Sequence, residues 1–454
     1  MRIRRTLIAN RGEIAVRVIR ECRELGVESV LAVSAADRDG LAARLADRTV
    51  CLGPAPSSQS YLNIPLIVQA ALSTGCDAIH PGYGFLSEKP EFARTCEQEA
   101  ITFIGPSSTM IEVMGDKLTA REIARSAGIP VVPGSLRVDN TEDAVSSAGR
   151  IGYPVMMKAA AGGGGRGVFV ADCLEDIAQS FETASAEAKA AFGEGSLFLE
   201  RYVPNARHIE VQILADHHGH AIHVGERDCS LQRRYQKVVE EAPAGILPFS
   251  IKERIFQAAL KLVAEVQYVN AGTVEFLYDI DRQDYYFMEM NTRIQVEHPV
   301  SEEISGLNLV REQIRIAAGE DLENSQAEVK FQGHAIECRI NAESPANGFR
   351  PSPGRITRWE PPSDRDIRLD THCYQGYFVS PFYDSMIAKL VVWGSDRNSA
   401  IQQMRGALGS FEVAGISTNI EFLRSLFDHP DYIHGSINTR WLENTFLPEF
   451  LSVT

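Results

Sequence analysis

Residues 158–167 read Lys-Ala-Ala-Ala-Gly-Gly-Gly-Gly-Arg-Gly, so four consecutive glycines lie between Lys158 and Arg166. An ordered glycine costs roughly 0.5–1 kcal/mol relative to alanine, and a folded run of four therefore needs a reason. One reading is a flexible linker. The other is a mobile hairpin tip whose bare N–H groups wrap phosphate oxygens while Lys158 adds a point charge. β-Patterned segments on both sides favour the tip. No GxxxxGK[ST] occurs, so this is not a P-loop.

A second constellation is acidic. Glu275 in Thr-Val-Glu-Phe and Glu289 in Phe-Met-Glu-Met sit in apolar segments separated by the polar turn Asp279 to Asp284. A hairpin there places both carboxylates on one face, with Asn291 two residues on. Two facing carboxylates repel unless a cation lies between them, and hard oxygen donors suit Mg²⁺ arriving with a nucleotide. Two solvated surface glutamates are the bland alternative. Arg293, Gln295 and Glu297 alternate immediately afterwards, so an extended segment would project a cation, an amide and a carboxylate together beside the metal. Lys237 and Arg339 are further cations available to such a site. Each alone reads equally as a surface ion pair.

Elements must deliver these residues to one place. Thr6 to Ala9, Glu13 to Leu25 and Val30 to Val33 start an alternation of short β-branched runs with helical patterns that predicts βαβ units and a parallel sheet. The first turn lacks GxGxxG, so it predicts a scaffold and no dinucleotide site. From Pro154 the pattern becomes antiparallel, with strands at Pro154 to Ala159, Gly167 to Ala171 and Leu197 to Tyr202. Arg207 to Leu214 alternates cleanly, His208, Glu210 and Gln212 on one face, which would look into a cavity or solvent. Helix Ile251 to Val266 precedes strands Gly272 to Tyr278 and Tyr285 to Asn291, and another mixed region starts near Gly333.

The chain has 454 residues, 44% hydrophobic and 23% charged, enough for several domains with a sizeable core. Its net charge of −15 opposes a general nucleic-acid or membrane binder while leaving room for a local anion pocket. Eight scattered cysteines form no CxxC pair, the usage of a reducing compartment. The apolar stretch after the basic start is too short for a signal peptide, and no run approaches a membrane span. A soluble, cytoplasmic protein is expected.

Five motifs in order resemble the biotin carboxylases, an ATP-grasp family: Ile8 to Ala15, His80 to Glu88, Met114 to Lys117, the glycine loop, and Met288 to Pro299. The resemblance implies a mixed α/β and α+β chain: a parallel βαβ domain over 1–115, an ATP-grasp domain over 116–334 with a glycine-rich lid near 132–203, and a mixed α/β C-terminal domain over 335–454. By position it implies that Lys117, Lys158, Gly164, Gly165 and His208 hold the phosphates or ribose of ATP. Glu200, Val203, Tyr235 and Leu277 would line the nucleotide cleft, Glu200 and Val203 largely through backbone. Glu275, Glu289 and Asn291 would bind Mg²⁺ or Mn²⁺. Lys237, Arg293, Gln295 and Val296 would take bicarbonate, Glu297 would be the base, and Arg339 with nearby Tyr83 would meet biotin.

The activity so implied is ATP- and bicarbonate-dependent carboxylation of biotin through carboxyphosphate, giving N1′-carboxybiotin, ADP and phosphate. No Met-Lys-Met biotinylation hairpin and no carboxyltransferase region occur. A free-standing subunit is therefore expected, working with a separate biotin carboxyl carrier protein and carboxyltransferase subunits, acetyl-CoA carboxylase foremost, and the resemblance implies a homodimer. Two departures stand out. Tyr235 replaces the family's histidine, which bears on nucleotide affinity, and Ala244-Gly245 lacks a second proline. Competing expectations are another ATP-grasp carboxylate–amine ligase and a nucleotide-binding regulatory subunit.

Overall fold

The computed structural model describes residues 2–160 and 168–453. The glycine run, with Gly164 and Gly165, lies outside the described residues. Strands β1 (Arg5–Ile8), β2 (Glu28–Ser34), β3 (Arg48–Gly53), β4 (Ala78–His80) and β5 (Thr102–Phe103) form a parallel sheet in the order β3-β2-β1-β4-β5. Helix Gly12–Glu24 buries Ile14, Val18 and Cys22, an i, i+4, i+8 stripe set against the sheet. Helix Ile64–Thr74 begins at Asn63, whose side chain accepts the Leu66 N–H, and ends at left-handed Gly75. Strand β3 carries no clear sequence signal: five of its six residues, Arg48 to Cys51 and Gly53, are exposed or half-buried.

Three antiparallel strands, β6 (Val155–Ala159), β7 (Phe169–Ala171) and β8 (Leu197–Arg201), follow in the order β7-β6-β8. Val155, Met157, Leu197 and Leu199 pack there against Phe181 and Ala184 of helix Leu174–Phe192. This small layer has its own core and presents Lys158 and Glu200 as neighbours on adjoining strands.

The largest layer is an antiparallel sheet of eight strands. It runs β13 (Asp284–Asn291), β12 (Asn270–Asp279), β9 (Ala206–Ala215), β10 (Ala221–Arg233), β11 (Gln236–Ala242) and β14 (His334–Asn341), and then continues through Met386–Gly394 to Ile367–Thr371. The sheet therefore crosses residue 334 without a break, β11 pairing directly with β14. Helix Phe249–Glu265 covers one face through Ile255, Ala259 and Leu262, which pack on Ile209, Val211 and Ile213 of β9. All ten residues of β9 are buried, so its polar face does not meet solvent; it lies over a cluster of charges. Among the described residues no helix is long and apolar enough to cross a membrane.

Candidate active site

Cross-strand register sets the arrangement. Glu289 on β13 stands opposite Glu275 on β12, Glu275 stands opposite Glu210 on β9, and Glu210 opposite Arg227 on β10. Three carboxylates in one row would repel one another. Lys237, on β11, reaches into the row: its Nζ donates to Glu210 Oε2 at 2.6 Å, Glu275 Oε1 at 3.1 Å and Glu297 Oε1 at 2.6 Å. Fully buried Arg227 holds the far side, bonding Glu210, Gln212 at 2.8 Å, Ser301 at 3.0 Å and Thr273 at 3.1 Å.

Glu297 lies between two cations. Its Oε1 takes Lys237, and its Oε2 takes Arg339 Nη2 at 2.9 Å. The residue sits at the N-cap of helix His298–Ser305, whose Pro299 suits the first turn and whose positive end favours a carboxylate. Burial alone would raise its pKa, but Lys237, Arg339 and Arg227 together hold the carboxyl well below the usual range. Glu275 behaves alike: burial opposes ionisation, and Lys237 and His208 outweigh it. Lys237 itself stays charged because Glu210, Glu275 and Glu297 overcome its own desolvation.

The segment after β13 is not extended. It turns and bends from Thr292 to Glu297, yet Arg293, Gln295 and Glu297 still converge because the turn wraps around Glu275. Gln295 Nε2 donates to Glu275 Oε1 at 3.2 Å, and Arg293 donates to Gln295 Oε1 at 3.1 Å and Asn291 Oδ1 at 3.2 Å. Arg293 Nε is held at 2.7 Å by Glu88, which comes from the N-terminal domain.

On the nucleotide side, Lys117 opens helix Lys117–Ser126, capped by Asp116 accepting the Thr119 N–H, and its Nζ lies 3.1 Å from Glu289 Oε2. Lys158 Nζ lies 2.5 Å from Glu200 Oε2, and Arg121 2.8 Å from Glu200 Oε1. The Glu200 carboxylate that makes both contacts is buried. His208, expected at phosphate or ribose, is buried on β9, its Nε2 3.0 Å from Glu275 Oε2 and its Nδ1 2.8 Å from Gln232 Nε2. Val203 is buried, and Leu277 sits half-buried on β12.

Tyr235 occupies the tip of the β10–β11 hairpin. Arg234 and Tyr235 both have positive φ, 50° and 63°, while Arg233 pairs with Gln236 on either side. That is a two-residue primed turn whose twist matches the strands. Tyr83 is half-buried, its hydroxyl donating to Glu13.

The donor set fits a hard divalent ion: Glu275 and Glu289 face each other across one hairpin, and Glu210 adds a third oxygen within ligand reach of Glu275. Each carboxylate already has a cation beside it, Lys237 for Glu275 and Lys117 for Glu289, so the cations flank the pair instead of separating it. Glu88, Glu210, Arg227 and Glu240 escaped the sequence reading as site residues. Only Glu210 carried a signal, its place on the polar face of β9.

An antiparallel sheet with paired carboxylates, beside a small three-stranded layer that carries Lys158, is the arrangement of an ATP-grasp enzyme. Family descriptions match in three consecutive blocks: biotin carboxylase N-terminal domain over residues 2–111, carbamoyl-phosphate synthase L chain ATP-binding domain over 116–325, and biotin carboxylase C-terminal domain over 337–444. Biotin carboxylase 1 of Bacillus subtilis is 51% identical over 442 residues, 97% of this chain and 98% of its own. The crystal structure of the Campylobacter jejuni biotin carboxylase–βγ-ATP complex superposes with a TM-score of 0.95 at 48% identity, covering 97% of this chain and 98% of that one. The biotin carboxylase domain dimer of Hydrogenobacter thermophilus 2-oxoglutarate carboxylase, solved with MgADP, ADP and bicarbonate, gives 0.94 at 46% identity over 98% of both chains.

The chain belongs to the biotin carboxylase family. It is an ATP-dependent enzyme of the biotin carboxylase half-reaction, in three domains: an N-terminal parallel sheet, an ATP-grasp domain and a C-terminal domain. The ligase and regulatory-subunit expectations fall with that assignment.

Proposed function

We propose that this chain activates hydrogencarbonate with ATP and passes the carboxyl group to biotin on a separate carrier protein, with Glu297 as the base. One observation carries the reading: the Glu297 carboxylate is gripped by Lys237 from β11 on one oxygen and by Arg339 from β14 on the other. Glu297 takes the hydrogencarbonate proton. The freed oxygen bonds to the γ-phosphorus as the bond to ADP breaks, giving carboxyphosphate. Lys237, Arg293, Gln295 and the Val296 backbone hold the anion in line. Lys117 and Lys158 meet the phosphates, Lys158 aimed by Glu200. A magnesium or manganese ion on Glu275, Glu289 and Asn291, when bound, supplies charge neutralisation at the nucleotide tail.

Carboxyphosphate hydrolyses readily, so the lid layer over 132–203 has the task of excluding water. Its breakdown gives CO₂ and phosphate. Phosphate takes the ureido proton, Arg339 steadies the oxyanion that develops on biotin, and N1′ attacks CO₂. The proposed domain limits are 1–115, 116–334 and 335–454. Two copies pair in this reading, and the acceptor beyond biotin is acetyl-CoA, with other acyl-CoA thioesters, pyruvate and urea as the outcomes to be separated.

Free biotin should stimulate bicarbonate-dependent ATP hydrolysis, and radiolabelled bicarbonate should move to a biotinylated carrier only with ATP and divalent metal. Glu297→Ala should lower both by about 10²–10⁴-fold. Unchanged turnover in that variant would remove Glu297 from the role. Labelled carrier offered acetyl-CoA, other acyl-CoA thioesters, pyruvate and urea, each with its carboxyltransferase, identifies the acceptor.

A further inference from the structure

Lys389 lies in the middle of strand Met386–Gly394 and is completely buried, a place where an ammonium group is costly unless every N–H is used. Its partners come from three distant parts of the chain. The Nζ donates to the Val296 carbonyl at 2.9 Å, lies 3.2 Å from Glu13 Oε1 on the first helix, and faces Asp370 Oδ2 at 3.8 Å on the neighbouring strand. Glu13 also receives the Tyr83 hydroxyl. Neither oxygen of Glu337, on the next strand and turned toward Lys389, has a hydrogen-bond partner among the described residues. Lys389 shares this carboxyl-rich pocket with Arg368, which bonds Asp370 at 2.8 and 3.1 Å, while Lys389 is the cation beside Glu13 and the Val296 carbonyl.

The sheet register gives the placement its meaning. Lys389 stands directly opposite Arg339, so two cations on adjoining strands project from one face of the sheet. Arg339 holds the carboxylate of Glu297, and Lys389 holds the carbonyl of the residue just before it. A peptide unit is planar, so fixing the Val296 C=O also fixes the Glu297 N–H and the direction in which the Glu297 Cα leaves that plane. We propose that Lys389 is a positioning residue for the reaction: it locks the Val296–Glu297 peptide so that the base and the bicarbonate-facing backbone keep one geometry, and through Glu13 it ties that geometry to Tyr83 in the N-terminal domain.

This rests on Glu297 acting as the base, so the experiment separates the two ideas. The full chain is assayed for bicarbonate-dependent ATP hydrolysis as Lys389→Met, Glu13→Gln and the double variant, with Glu297→Ala alongside. The double variant removes both charges of the buried pair and so keeps the fold where Lys389→Met alone fails to fold. Its Lys389 effect is read against Glu13→Gln, which carries any disturbance of Tyr83. Loss of one charge-assisted bond to the site backbone should lower kcat by about tenfold or more and raise the bicarbonate KM by about tenfold, while the ATP KM stays within about twofold. A merely structural lysine would move both KM values together or neither. A folded double variant whose bicarbonate KM and kcat equal those of Glu13→Gln, with Glu297→Ala inactive, overturns the role of Lys389 alone. An active Glu297→Ala would instead remove the reading beneath it.

Discussion

Replacing Glu240 with glutamine should stabilise the protein, and increasingly so as the pH rises. Glu240 is fully buried on β11, opposite the equally buried Glu337 on β14. Arg339 grips only its Oε1, at 2.6 and 2.7 Å, and Oε2 has no hydrogen-bond partner among the described residues. Burial, with the nearby charge of Glu297, outweighs Arg339 and Lys237 and pushes the carboxyl from 4.5 up to about 7. The native state thus holds a proton here that the unfolded chain releases. The contribution is fully present below pH 4.5 and is lost as the pH climbs through 7. A gap of about 2.5 units at 1.36 kcal/mol each sets a ceiling of about 3 kcal/mol by pH 8.5. Glutamine keeps the shape and an acceptor for Arg339 but cannot ionise. With an unfolding entropy of about 2.1 cal/mol/K per residue, roughly 1 kcal/mol/K for a chain of this length, the ceiling corresponds to about 3 °C. Scanning calorimetry from pH 5 to 8.5 should show the variant's advantage in midpoint growing by that amount. An advantage that stays constant or shrinks with rising pH would refute the reasoning.

Other outcomes follow from single contacts. Glu88→Gln should release Arg293 and raise the bicarbonate KM by about tenfold with little change in the ATP KM, as read from initial rates. Glu275→Gln should move the Mg²⁺ activation midpoint up by about tenfold or more, because the hairpin loses one of its two facing carboxylates; an unchanged metal titration would place the ion elsewhere. Glu275, Glu297 and Asp370 are all held below their ordinary range, burial opposing and neighbouring cations prevailing. Their stabilisation is present above about pH 4.5 and fades as the pH falls from there, so the urea midpoint should drop steeply between about pH 4.5 and 3.

Some of this was legible in the sequence because it is local. Period-two alternation marked β9, and a polar turn between apolar runs announced the hairpin that opposes Glu275 to Glu289. Strands β10 and β11 were not legible: Glu226, Arg227 and Asp228 interrupt the apolar rhythm, and Arg227 is buried only through partners on β9, on β12 and in helix His298–Ser305. Glu88, Glu240 and Lys389 illustrate the same limit. Each is an ordinary charged residue in the chain, and only strand order and domain packing put Glu88 on Arg293, Glu240 on Arg339 and Lys389 under Val296.

Lys237 has three carboxylate partners within 3.1 Å, more than its three N–H groups can keep once an anionic substrate arrives. Arg339 holds the other oxygen of Glu297 as Arg227 holds that of Glu210, but Glu210 and Glu275 lie in the sheet row of carboxylates and Glu297 does not, so Glu297 is the partner Lys237 can release at least cost. Turning Lys237 toward hydrogencarbonate removes the leading cation from Glu297, and the carboxylate becomes a stronger base as its substrate binds. The idea is testable in the free enzyme through Lys237→Gln. There Glu297 loses its strongest stabilising neighbour, so its pKa rises, and a base that must be ionised then fails at a higher pH. The acid limb of kcat/KM for bicarbonate should shift upward, since this ratio reports free-enzyme ionisations. An acid limb that stays in place while kcat falls would mean that Lys237 acts on the substrate alone and leaves the strength of the base untouched.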